Sequence, residues 1–258
     1  MTDPANPFVA PTARLEDDAR IFDTSRLLPE SRVVSAGAAL QWLGTGVAMF
    51  REAPGPWIGI VLVYFVTLVV LSVLPVIGML NGLLSPVFAA GIILACEAQR
   101  SGSTPTVGHL FQGFRRNLGN LILIGLLYMF GLVALVSVAM ASGLAVMMPF
   151  FVLGGDQSTV APAAIGAIAL AAFALIIPLS FTLWWSPALV ATHDLPPVDA
   201  MKRSLTACLR NWRALFVYGI LVLLMFIVAM IPLGLGLLVA GPVLAISWWA
   251  GYRNIFVG

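Results

Sequence analysis

The sequence predicts an all-α integral membrane protein: six transmembrane helices laid out as three hairpins, with short cytoplasmic interfacial amphipathic helices between them. Three observations carry that reading. Hydrophobic residues make up 60% of the 258 and charged ones only 9%, with mean hydropathy +1.02, whereas soluble domains carry about 25% charged residues. The apolar residues form runs long enough for one or two crossings of about 20 residues each. All 13 Lys and Arg residues fall in the segments between alternate runs, and positive charge stays on the cytoplasmic side. A net charge of +2, gathered in a few segments, gives no basic face for nucleic acid.

Residues 1–31 mix Asp3, Glu16, Asp17, Asp18, Asp23 and Glu30 with Arg14, Arg20 and Arg26 among four prolines, and read as a disordered cytoplasmic tail. No apolar stretch of signal-peptide type stands there, so no cleaved leader is expected. Residues 32–258 form the transmembrane domain. Its first run, 33–50, is diluted by glycines and polar residues, and Ala36, Leu40, Leu43, Val47 and Phe50 recur at helical spacing. It is expected to lie in the interface with Trp42 near the headgroups. Spanning would separate Arg14, Arg20, Arg26 and Arg32 from Arg51.

The crossings are expected at about 57–76, 83–99, 118–148, 163–192, 213–232 and 237–254. No charge occurs between Trp57 and Glu97, and Pro75, Gly78, Asn81, Gly82 and Pro86 mark the turn inside that run. Gly154, Gly155 and Asp156 mark the second turn; Pro232, Gly234 and Gly236 mark the third. Both termini are then cytoplasmic. Thr104-Pro105 can start a linking helix with Val107, Leu110, Phe111 and Phe114 on one face. Pro197 can start another, with Val198, Met201, Leu205, Cys208 and Trp212 set against Asp199, Lys202, Arg203, Thr206 and Arg210.

Three units can be overlaid. Each opens on an apolar residue and an arginine (Phe50-Arg51, Phe114-Arg115, Leu209-Arg210), and each second arm carries a small residue before proline (Ser85-Pro86, Ser186-Pro187, Gly241-Pro242). Trp42, Phe50, Pro54, Trp57, Pro75-Val76-Ile77-Gly78, Ser85-Pro86 and Gly113-Phe114 resemble a family of uncharacterised bacterial inner-membrane proteins over roughly Val33 to the C-terminus. More distantly, Ala200 to Leu215, with Ser204 and Asn211-Trp212, is similar to the membrane domain attached to some bacterial glycerophosphodiester phosphodiesterases. The resemblance implies a multi-pass protein of the inner membrane. The phosphodiesterase domain itself is absent, so its activity is not carried over.

Chemistry is sparse along the chain. His193 and Asp194 are adjacent, so their side chains diverge on a helix, and His109 has no partner at metal-site spacing. Glu97 and Arg100 read as polar anchors paired along one helix. Cys96 and Cys208 read as buried small residues, without a disulfide. Gly78 with Gly82, and Ala163, Ala167 and Ala171, read as close packing, within one protomer rather than between copies. Trp57, Trp184, Trp185, Trp212, Trp248 and Trp249 read as interfacial anchors. The expectation is therefore no catalytic residue, no metal and no cofactor. Arg51, Arg115, Arg116, Lys202, Arg203, Arg210 and Arg213 form a basic rim to hold anionic membrane lipid, or to dock a membrane-protein partner or a second copy. Carriage of an uncharged or lipid-like substrate between helices kinked at Pro178 and Pro187 is the alternative; no ionisable residue lies deep enough for ion coupling.

Overall fold

The computed structural model describes residues 27–73, 75–153 and 160–258. Among them the regular structure is helical, joined by short turns, with an isolated bridge between Leu27 and Val257. In order come α1 (Ala38–Glu52), α2 (Pro54–Val73), α3 (Pro75–Arg100), the single-turn α4 (Val107–Leu110), a 3₁₀ turn (Gln112–Phe114), α5 (Leu118–Leu153), α6 (Val160–Trp184), α7 (Ser186–His193), α8 (Pro197–Arg210), α9 (Trp212–Met230) and α10 (Leu237–Phe256). Five segments are long and apolar enough to cross a membrane: Pro54–Ser72, Asn81–Arg100, Leu118–Met148, Pro162–His193 and Trp212–Met230. The sixth expected crossing is helical, but Ser247, Tyr252, Arg253 and Asn254 make α10 too polar to join them.

Local chemistry moved several boundaries. Proline at a first helical position starts a helix, so α3 begins at Pro75 and takes Asn81, Gly82 and Pro86, expected in a turn, into its body. Pro86 lacks the N–H that would bond the Gly82 carbonyl, and the Ser85 hydroxyl donates to that oxygen at 3.1 Å instead. The fourth expected crossing breaks in two at Trp185, just before Pro187, where the Ser186 hydroxyl donates to the freed Leu183 carbonyl at 3.4 Å. The linking helix starts at Val107, not Thr104, because the Thr106 N–H donates to His109 Nδ1 at 3.0 Å.

α1 packs along α10, and its buried face is Ala39, Trp42, Gly46 and Phe50; Leu40 points outward. A Cβ on Gly46 would collide with the Val243 carbonyl, so these backbones touch. Residues 27–34 are not a loose tail end. Leu28 N–H donates to Phe256 O and Arg32 N–H to Ile255 O, both at 2.9 Å, and Asn211 closes the strap by donating to Arg32 O at 2.9 Å and accepting from Val34 N–H at 2.8 Å. The turn around Asp156 and residues 1–26 lie outside the described residues.

The tryptophans correct the sequence reading most. Trp42, Trp57, Trp185 and Trp249 are buried and Trp212 is exposed. Trp57 Nε1 donates to Gln99 Oε1 at 2.6 Å, Trp42 to Asn254 at 3.1 Å and Trp248 to the Trp184 carbonyl at 3.1 Å. Indoles supplied with internal acceptors bury at no hydrogen-bond cost. Conversely, Ala163, Ala167 and Ala171 are exposed on α6. Gly78 lies where side-chain surroundings are not described.

Candidate functional site

α8 is the most amphipathic element. Ala200, Ser204, Ala207 and Cys208 are buried on one side, and α8 runs back along α6. Ser204 fastens it: its hydroxyl donates to Phe181 O at 2.6 Å and accepts from Trp185 N–H at 2.9 Å, so it serves both groups left open where α6 breaks. Burial pushes the Cys208 thiol up to about 12, against a smaller lowering by Ser204. With that face fixed, Lys202, Thr206 and Arg210 follow at four-residue spacing on the other.

These residues line a cradle of about 330 Å³ with Arg203, Phe256 and the strap residues Pro29, Glu30 and Ser31. Arg203 donates to the Leu28 carbonyl at 3.3 Å, and Arg210 pairs with Glu30 at 3.3 Å. Three of the seven expected basic residues therefore converge. The other four do not. Arg51 lines an apolar cavity with Ile231, Pro232 and Gly236; Arg115 is exposed and Arg116 half-buried where the 3₁₀ turn meets α5; Arg213 lies over the Trp212 ring at 5.5 Å.

A second polar centre was only half legible. Glu97 pairs with Arg100 at 2.9 Å, as their spacing suggests, but it also accepts from Arg253 at 3.0 Å and from Trp249 Nε1 at 2.9 Å. Gln99 beside it donates to Met49 O at 2.8 Å and Glu52 at 3.1 Å. The start of α2 and the ends of α1, α3 and α10 are thus knotted together. Asp194, in the left-handed conformation at the end of α7, accepts a hydrogen bond from Asn117, while His193 lies against Tyr252. Among the described residues, no three His, Cys, Asp or Glu side chains are grouped to hold a metal.

The path raised as an alternative, between helices kinked at Pro178 and Pro187, corresponds to a central cavity of about 400 Å³ between α2, α3, α5, α6, α7 and α10, most of whose lining the sequence did not reveal. Tyr64, Ser85, Pro86, Tyr128, Ser180, Trp184, Pro187 and Trp248 are among its walls. A signal existed: Tyr64 and Tyr128 each stand thirteen residues after the arginine of a Phe-Arg pair. The first two Ser-Pro pairs of the repeat contribute Ser85, Pro86 and Pro187 to the same space, so the first two units meet across it. Trp184 also lines an apolar groove of about 590 Å³ between α6 and α9, with Phe181, Trp212 and Phe216.

No protein-family model matches the chain. No solved structure matches it either. Nothing in the comparisons supports the likeness of residues 200–215 to a phosphodiesterase membrane domain. A probable inner membrane protein of Burkholderia thailandensis is 32% identical over 199 residues, 73% of each chain. With five membrane-capable helices beside that match, the chain belongs to the family of this probable inner membrane protein.

Proposed function

We propose that the chain is a non-enzymatic inner-membrane protein that holds anionic lipid headgroups at its cytoplasmic face, with the cradle of Lys202, Arg203, Thr206 and Arg210 as the principal contact. The observation that carries this reading is the division of α8: one side is locked onto α6 through Ser204, so the other presents three basic side chains and a hydroxyl in one concavity. Fixed donors around a pocket suit phosphate oxygens. Arg115, Arg116 and Arg213 then supply diffuse attraction to an anionic leaflet, about 1 kcal/mol per residue near the surface. A membrane-protein partner docking on the same rim is the competing occupant. Carriage of an uncharged substrate is the second reading, favoured by the central cavity.

Native mass spectrometry of protein purified in mild detergent tests the proposal. Wild type should retain anionic phospholipid, and the Lys202→Gln, Arg203→Gln, Arg210→Gln triple variant should lose it by roughly a hundredfold, from about 1 kcal/mol for each charge. Glu30→Gln, which frees Arg210 from its ion pair, should strengthen retention. Unchanged lipid in the triple variant, or a stoichiometric protein held in its place, would overturn the reading.

A further inference from the structure

We infer that the central cavity is a binding site for an uncharged acyl-ester lipid of the diacylglycerol type, its ester region seated between the first two of the three overlaid units. Its volume, about 400 Å³, falls in the range of about 300–1,000 Å³ typical of ligand sites. No Asp, Glu, Lys, Arg or His lines it. A charged group brought there would lose its water with no counter-charge to compensate, which excludes a phosphate headgroup.

The hydrogen-bonding inventory points to the kind of polar group that is accepted. The carbonyls exposed by Pro86 and Pro187 are already taken, by Ser85 and Ser186, and Trp248 Nε1 is spent on the Trp184 carbonyl. Trp184 Nε1 remains: it is buried and has no hydrogen-bond partner. A buried donor left open costs about 1–3 kcal/mol, and an ester carbonyl is an acceptor without charge. Tyr64, Tyr128 and Ser180 line the same space. It is too small for a whole diacyl lipid, but the groove sharing Trp184 as a wall adds about 590 Å³ lined by Phe181, Phe216 and Leu223. Acyl chains suit that groove, so Trp184 stands between the ester pocket and the chain pocket.

A diacylglycerol carrying a diazirine near its ester, photolysed with the purified protein in nanodiscs, provides the test. Adducts should map near Tyr128 and to Ser180–Trp184, and unlabelled dioleoylglycerol should compete for them. Ala89→Trp, which fills the cavity, should abolish these adducts. Ser180→Leu serves where the larger substitution prevents folding. Trp184→Phe, which removes the N–H together with the pyrrole part of the indole, should weaken competition about fivefold, whereas Phe181→Leu, which trims the groove and keeps the N–H, should not. A phosphatidylglycerol probe of the same design forms the second arm, and the Lys202, Arg203, Arg210 triple variant should leave diacylglycerol labelling unchanged, so failure here is distinguishable from failure of the headgroup cradle. Adducts spread over the outer faces of α5 and α6 without competition, adducts indifferent to both cavity-filling variants, or labelling of the lining by phosphatidylglycerol alone would each overturn the assignment.

Discussion

Glu97 has a side chain only 4% exposed, yet it holds Arg100, Arg253 and the Trp249 indole. Removing one member of such a group leaves buried charge without a partner, which typically costs 3–5 kcal/mol; Arg253 and Arg100 keep some solvent, so about 3 kcal/mol is expected for Glu97→Ala. Thermal unfolding in detergent should show that loss, with Glu97→Gln milder because it still accepts from Trp249. At Cys208 the sign follows from burial. A thiol raised from 9.0 to about 12 in the fold adds stability that is full below pH 9 and lost as pH rises toward 12. It should therefore resist a thiol reagent at pH 8 until the protein is denatured. Spacing made the Glu97–Arg100 pair legible, because three residues bring side chains together on a helix. Arg253 and Trp249 lie more than 150 residues away, and no local pattern announces such a contact. Trp57 and Trp249 were misread for the same reason: an indole near a membrane edge suits the headgroups or a buried acceptor equally well, and only the acceptor's position decides.

Helices were the readable elements, since apolar runs bounded by Pro, Gly and charge leave few alternatives in a membrane. Their contacts depended on glycines whose role sequence does not reveal. A Cβ on Gly91 would strike the Leu110 carbonyl, and one on Gly113 the Val87 carbonyl, so α4 and the 3₁₀ turn lie directly on the α3 backbone. Gly91→Ala should lift that link, costing about 2 kcal/mol or more because backbone cannot yield as a side chain can. The control is Gly119→Ala at the start of α5, where nothing lies within 4 Å; helix propensity favours alanine there by about 1 kcal/mol. Limited proteolysis between residues 101 and 117 should accelerate in the first variant and not in the second. A comparable loss in both would show that the close approach carries no weight.

At the scale of the whole molecule, contacts constrain topology more tightly than hydropathy does. Leu28 bonds to Phe256, Arg253 to Glu97, and Gln99 to Met49 and Glu52, so both ends of α1 and the end of α10 share one side. α1, with 15 residues, spans about 22 Å against a hydrocarbon thickness of about 30 Å. Arg51 lines the same cavity as Ile231, Pro232 and Gly236, which brings the α9–α10 turn to that side as well, although α9 is apolar enough to cross. α10 passes Val61 of α2 at Gly241, Glu97 of α3 at Trp249, and Trp185 at Phe256, the path of a helix laid across the ends of the others. Four crossings, α2, α3, α5 and α6 with α7, would satisfy every one of these contacts, with α1, α9 and α10 embedded from one side. Charge counting could not separate this from six crossings, because the α9–α10 turn carries no Lys or Arg. A cysteine at Leu233, 96% exposed, decides: in intact cells it should resist a membrane-impermeant maleimide, as should one at Ser101, and both should react in inverted vesicles. Labelling of position 233 from outside, with position 101 protected, would restore the six-crossing arrangement and place Arg51 away from that turn.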